Sequence, residues 1–235
     1  MKGLWMVPIL TYHRVGEPKG DHVPTVTPET FEWQLRFLQR HRFRVIELGD
    51  LAEAMAQGRA VGRRTAAVTF DDGYEETFSI AAPLLRKFEC RATVFVTPTE
   101  IGTTGFMTWE QVRALAQDGI RIGSHTMHHT YLPLLPPEQV PYELAESKRV
   151  LEQHLGQPVP WLSYPVGGFT PQIQALARQA GYRVCCTTNR GTSKTARDLF
   201  ALRRIKMTDR DRSTLLMWVK LSGYYDLFRR LEQPA

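Results

Sequence analysis

Thr65-Ala66-Ala67-Val68-Thr69-Phe70-Asp71-Asp72-Gly73-Tyr74 reads as a strand that runs straight into two acids. The nearly continuous apolar run, without in-out alternation, suits a strand buried on both faces, as in a parallel sheet. Two carboxylates directly after such a strand are costly unless something pairs with them. A metal held by one acid gives a reason for both, because the other stays free to take a proton from water. The same letters also suit an Asp-Asp-Gly turn in which Asp72 caps a helix from Glu75.

Working outward, similar short runs recur at Val7–His13, Phe43–Leu48, Arg91–Thr97, Ile120–Ser124, Pro160–Tyr164, Tyr182–Thr187 and Leu199–Ile205. Helical patterns lie between them. Thr27-Pro28 opens one, with Thr27 as N-cap and Phe31, Leu35 and Leu38 on one face. Glu75–Phe88, Thr108–Asp118, Pro137–Leu155 and Pro171–Ala180 are the others, and Gly119, Gly156 and Gly181 stop the last three. Repeated strand–helix alternation predicts an α/β fold with a parallel sheet, open or closed into a barrel. In a barrel the functional groups gather at the C-terminal ends of strands. His13, Asp71-Asp72, His125 and Tyr164-Pro165 all occupy that position.

With 235 residues, 43% of them hydrophobic, the chain is long enough for one sizeable core. Three cysteines are too few for a disulfide framework, and adjacent Cys185 and Cys186 in an apolar run read as buried thiols. A net charge of +6 is spread along the chain. No nucleic-acid partner is therefore expected; an acidic sugar or an anionic membrane surface suits the charge as well. No stretch reaches the roughly 20 apolar residues of a membrane span. The first ten residues make a poor signal peptide, so the expected location is cytoplasmic or peripheral at the inner membrane face, or exported if a leader has been removed.

Ser124-His125-Thr126-Met127-His128-His129 places two histidines four apart, on one face if the segment turns helically. Two imidazoles and one carboxylate leave coordination positions open for water and substrate, the arrangement of a hydrolytic zinc site. His128 is an alternative ligand to His129. In Ser163-Tyr164-Pro165-Val166-Gly167-Gly168 the glycines permit close backbone approach, and the amides of such a turn can donate to an oxyanion.

Taken in order, Thr69-Phe70-Asp71-Asp72, His125-Thr126-x-x-His129 and Ser163-Tyr164-Pro165-Val166-Gly167 resemble the polysaccharide deacetylases of carbohydrate esterase family 4. The resemblance covers about residues 5 to 206. It implies a distorted (β/α) barrel of about seven parallel strands. By the same resemblance Asp71 is the general base, and Asp72, His125 and His129 hold one divalent ion. That ion is expected to be zinc, with nickel, cobalt or iron also compatible. The Val166 amide matches the oxyanion donor, with Tyr164, Pro165 and Gly167 as substrate-binding residues. Two family features are missing: an arginine at the position of Ser163, and a late Leu-x-His, since no histidine follows His154. Ile9-Leu10-Thr11-Tyr12-His13 resembles instead the start of a rearranged branch that includes poly-N-acetylglucosamine deacetylases. There the N-terminal histidine is the acid, which assigns His13. Leu202-Arg203-Arg204-Ile205 resembles a late element of that branch, and Arg204 then replaces the missing arginine or forms a surface salt bridge.

The implied activity is metal-dependent removal of N-acetyl groups from a polysaccharide or glycan precursor. An O-acetyl esterase, a deformylase or deacetylase of a lipid-linked sugar, and a non-catalytic carbohydrate-binding protein are the alternatives. Residues 1–206 read as the catalytic domain. Residues 207–235 read as an amphipathic helix packed on it, with Met217, Leu221, Tyr224, Phe228 and Leu231 on one face. Lys220, Arg229 and Arg230 beside those aromatics suggest contact with a membrane surface. The oligomeric state is left open.

Overall fold

The computed structural model describes residues 7–188, 198–222 and 225. The strands are β1 (Ile9–Tyr12), β2 (Arg14–Val15), β3 (Thr25–Val26), β4 (Arg44–Val45), β5 (Thr65–Phe70), β6 (Thr93–Val96), β7 (Arg121–Ser124), β8 (Trp161–Ser163), β9 (Val184–Thr187), β10 (Leu202–Arg203) and β11 (Ile205–Lys206). Helices α1 (Pro28–Arg40), α2 (Leu48–Ala56), α3 (Ala82–Lys87), α4 (Trp109–Gln117), α5 (Val140–Leu155), α6 (Pro171–Gln179) and α7 (Thr214–Leu221) surround them.

Every pair of named strands among the described residues is parallel, and hydrogen bonding runs β10-β9-β8-β7-β6-β5-β1-β11. The two ends of that path are consecutive pieces of chain. Leu202 and Arg203 pair with β9, Ile205 and Lys206 pair with Leu10 and Thr11 of β1, and only Arg204 separates them. The sheet is thus nearly closed into a barrel, and Leu202–Lys206 taken as one stave makes the ring seven-membered. The expected (β/α) barrel of about seven strands is the one observed.

β5 is buried along its whole length, because β1 and β6 flank it and its faces meet both the interior and the helices. Leu10, Val68, Phe70 and Val94 pack with Phe31, Leu35 and Leu38 of α1 in the main core. α1 starts as the sequence predicts, the Thr27 hydroxyl accepting from the Thr30 amide. Thr108 and Gln111 form a reciprocal capping box on α4, and Gly156 ends α5 at φ 66°. Cys185 and Cys186 are fully buried free thiols.

Two local expectations change. The helix expected over 75–88 is continuous from 75 to 87, but it is not regular: residues Thr77–Ala81 form a π-bulge within it, directly before α3. Pro83 cannot donate, and its ring would crowd the Ser79 carbonyl in a regular helix. In Phe43–Leu48 only Arg44 and Val45 pair, and Leu48 already begins α2. That helix start has no side-chain cap, because Glu47 turns to Arg91 and Arg121 instead.

At the C-terminus, Met217 and Leu221 of α7 are buried in the main core. Lys220 is also buried, 2.7 Å from Asp211. Tyr224, Phe228, Arg229, Arg230 and Leu231 lie outside the described residues.

Gly123 in β7 tests how tightly the barrel is packed. A Cβ there would sit 2.5 Å from the Phe95 ring and 3.1 Å from Trp161 Cβ. Gly123→Ala should therefore destabilise the fold by about 1–3 kcal/mol in urea unfolding, as overpacking does. An unchanged midpoint would show that Phe95 has room to move.

Candidate metal centre and active site

Because all the strands point the same way, their C-terminal ends form one mouth, and the sequence-predicted residues meet there. His13 follows β1, Asp71 and Asp72 follow β5, His125 follows β7, and Tyr164 follows β8.

Asp72 Oδ1 lies 3.3 Å from His125 Nε2 and 3.2 Å from His129 Nε2. That oxygen is buried, yet it makes no hydrogen bond. One donor atom from each of the three residues falls within a 4.8 Å cluster. Donors about 2.0–2.1 Å from a tetrahedral zinc stand about 3.3 Å apart, so the spacing fits a shared cation. His125 is fixed for that role by its other nitrogen. Nδ1 lies 2.7 Å from the Ser163 carbonyl, which can only accept. Nδ1 therefore carries the proton, and Nε2 keeps its lone pair for the centre. Burial pushes the Asp72 carboxyl up, but the two imidazoles outweigh it and hold it well below the usual range. His129 is raised above an ordinary imidazole by its contact with Asp72, against the effect of burial.

The four-residue spacing works for a different reason than expected. Residues 125–129 are not helical; Thr126 and His129 take left-handed φ values of 65° and 55°, and the loop folds back. His128 is engaged elsewhere. Its Nδ1 is 2.6 Å from Glu143 Oε1, and the converging donor atoms come from Asp72, His125 and His129.

Asp71 is gripped by Arg204. Nη1 and Nη2 donate to its two oxygens, each at 2.6 Å, with both side chains nearly inaccessible at 1% and 3%. Nη2 also donates to Ser163 Oγ at 2.8 Å. Arg204 is thus a buried partner of Asp71, which settles against a surface salt bridge. Burial alone would raise the Asp71 carboxyl; Arg204, then His125 and His13, lower it below the usual carboxylate value. His13 is poised beside the two acids with its Nδ1 buried and unpartnered. Burial lowers its proton affinity, opposed by Asp71 and Asp72.

The turn after β8 is closed by Gly167 N–H donating to Tyr164 O and Gly168 N–H to Pro165 O. Among the described residues nothing accepts the Val166 N–H. Val166 is 73% exposed and holds φ 55°, a strained conformation for a β-branched residue. Its neighbours lie lower in the turn. Tyr164 is fully buried, stacked on Phe169, with its hydroxyl donating to the Phe200 carbonyl. Pro165 and Gly167 are buried too. These three support the turn from beneath. Glu143 and the double use of Ser163, by His125 and by Arg204, have no local signal in the sequence.

Residues 58–185 match the profile of the family described as polysaccharide deacetylase. YxkH of Bacillus subtilis, provisionally named a polysaccharide deacetylase, is 30% identical over 202 residues, which are 86% of this chain and 71% of that protein. The poly-beta-1,6-N-acetyl-D-glucosamine N-deacetylase of Escherichia coli K12 is 22% identical over 139 residues, 52% of this chain and 21% of its own length. Among solved structures, the Streptococcus pyogenes deacetylase PplD in complex with acetate superposes with a TM-score of 0.80 at 25% identity, covering 87% of this chain and 93% of that one.

Cation affinity should depend on pH in a defined direction. A cation needs the neutral imidazole, and His129 holds its proton to a higher pH than usual. Affinity measured by calorimetry should therefore still be rising with pH above the ordinary imidazole range, and level off only where His129 has lost its proton. A flat profile would contradict direct competition with protons.

Proposed function

This chain belongs to the polysaccharide deacetylase family, hydrolases of N-acetyl amide bonds in polysaccharides, and from that premise we propose that it deacetylates N-acetylglucosamine units with Asp71 as base and His13 as acid. The observation that carries the assignment is one ionised, arginine-locked carboxylate beside three converging donor atoms at a single barrel mouth. The E. coli relative is named for poly-beta-1,6-N-acetyl-D-glucosamine, and that polymer is the substrate proposed here.

Asp72, His125 and His129 would hold a divalent cation, and zinc suits two imidazoles and a carboxylate. Such a cation supplies Lewis-acid polarisation of the acetyl carbonyl and brings the acidity of water near neutral pH. Asp71 takes the proton of the attacking water. Arg204 keeps its carboxylate ionised and aims it, because the two-pronged contact fixes the plane of the carboxyl group. The free Val166 N–H donates to the oxygen that gains charge; one such donor is worth about 3 kcal/mol in the transition state. His13 gives its proton to the leaving nitrogen. Burial weakens its hold on that proton, which makes the protonated ring a better donor.

Acetate release from β-1,6-linked N-acetylglucosamine oligomers, with and without a chelator, tests the activity directly. Release that is absent, or indifferent to the chelator, would sink the proposal. Asp71→Asn should abolish turnover while cation binding persists. His13→Ala should slow amide cleavage far more than cleavage of an activated acetyl ester, which needs no protonation of its leaving group.

Arg204→Lys keeps a charge but loses the two-pronged grip, so the Asp71 pKa should rise. The base works only when ionised. At saturating cation, the acid limb of kcat/KM should therefore move to higher pH than in the parent. An unmoved limb would detach Arg204 from the base.

A further inference from the structure

The loop that carries His129 has no regular structure, yet it must bring a second imidazole back to the point already addressed by His125. Two of its residues, Thr126 and His129, hold left-handed backbone without being glycine. Such a path persists only when its surroundings over-determine it. The surroundings come from one face of α5. Glu143, 6% exposed, accepts from the Met127 N–H and the His128 N–H with the same oxygen, both at 3.0 Å. Its other oxygen takes His128 Nδ1 at 2.6 Å. One helical turn along, Ser147 Oγ shares a hydrogen bond with Ser124 Oγ, which in turn accepts the Thr126 N–H at 3.2 Å. From the opposite side Thr99 Oγ1 donates to the Met127 carbonyl at 2.7 Å.

A buried carboxylate is costly, and among the described residues no lysine or arginine pairs with Glu143. It spends both oxygens on the backbone and side chain of two consecutive loop residues, directly before His129. We propose that Glu143 is a positioning residue for the metal centre: it templates the loop so that His129 meets Asp72 and His125 before any cation arrives. The proposal rests on the reading of Asp72, His125 and His129 as cation ligands. It explains why His128 is turned outward: its ring is a handle for α5 and not a ligand. It also confines the effect to one ligand. His125 is locked separately through the Ser163 carbonyl, and Asp72 belongs to the loop after β5. Without the carboxylate the loop relaxes toward unstrained φ values, and His129 leaves the cluster first.

The test is Zn2+ affinity of the metal-free chain, measured against a competing chelator, for the parent and for Glu143→Ala, Glu143→Asp and Asp72→Asn. Outer partners of metal ligands typically contribute about ten- to hundredfold in affinity. Glu143→Ala should fall in that range while its folded signature by near-ultraviolet circular dichroism stays that of the parent. Its Co2+ absorption spectrum should show an altered coordination, and added metal should restore most of kcat. A purely structural contribution would lower Tm and leave affinity and spectrum unchanged. Glu143→Asp, one methylene shorter, cannot reach both amides and should lose part of the affinity; it carries the test if the alanine variant does not fold. Parent-like affinity in a folded Glu143→Ala, or in Glu143→Asp where only that one folds, overturns the proposal, provided Asp72→Asn loses the cation. Parent-like affinity in Asp72→Asn would instead overturn the metal-centre reading beneath it.

Discussion

The ion pair between Arg204 and Asp71 joins the closure of the barrel to its chemistry. Arg204 is the residue at which the chain leaves β9 and reaches β1, and its own amide donates to the Thr187 carbonyl at that joint. Its side chain spans the mouth to Asp71, Ser163 and Thr69, contributions from β5 and β8. Removing either partner of such a pair leaves a buried charge without compensation, at about 3–5 kcal/mol. The barrel therefore cannot shift its last stave without disturbing the carboxylate. Conversely, without the stave that carboxylate would lose the largest of the influences that oppose its burial.

Around this pair the strain of the backbone is unevenly distributed. Six non-glycine residues among those described have positive φ. Arg42 and Glu89 directly follow the C-caps of α1 and α3, where a left-handed residue is a common way to end a helix. The other four are Asp72, Thr126, His129 and Val166, all at the mouth. Each left-handed residue costs roughly 1–2 kcal/mol. Interactions from fixed elements offset that cost: Glu143 and Ser147 on α5, Thr99 beyond β6, and the Gly167 and Gly168 amides in the turn. Loops thus carry the reactive groups, but helices and strands decide where those groups point.

The left-handed Val166 shows the same economy at smaller scale. Tyr164, Pro165 and Gly167 are spent on making the turn firm, and the one exposed residue carries the unclaimed amide.

Much was legible locally. The uninterrupted run Thr65–Phe70 marked a doubly buried strand, Thr27-Pro28 and Thr108 marked helix starts, and Gly156 marked a stop, because caps, runs and turn residues act within a few positions. The residue types at 71, 72, 125 and 129 allowed a metal on chemical grounds, and it was the resemblance of the ordered motifs that made it the expected reading. What the chain order could not reveal is which group each of these faces. α2 carries no local start signal, because Glu47 answers two distant arginines instead of capping its helix. The role of Glu143 was invisible because a carboxylate on an amphipathic helix looks like any solvated acid until the loop it holds is placed beside it. Arg204 could be read as a surface charge until the barrel closed and its register set the guanidinium against Asp71. Local signals fix elements and donor chemistry through short-range sterics and hydrogen bonding; partners separated by more than a hundred residues are decided only when the parallel register of the ring is complete.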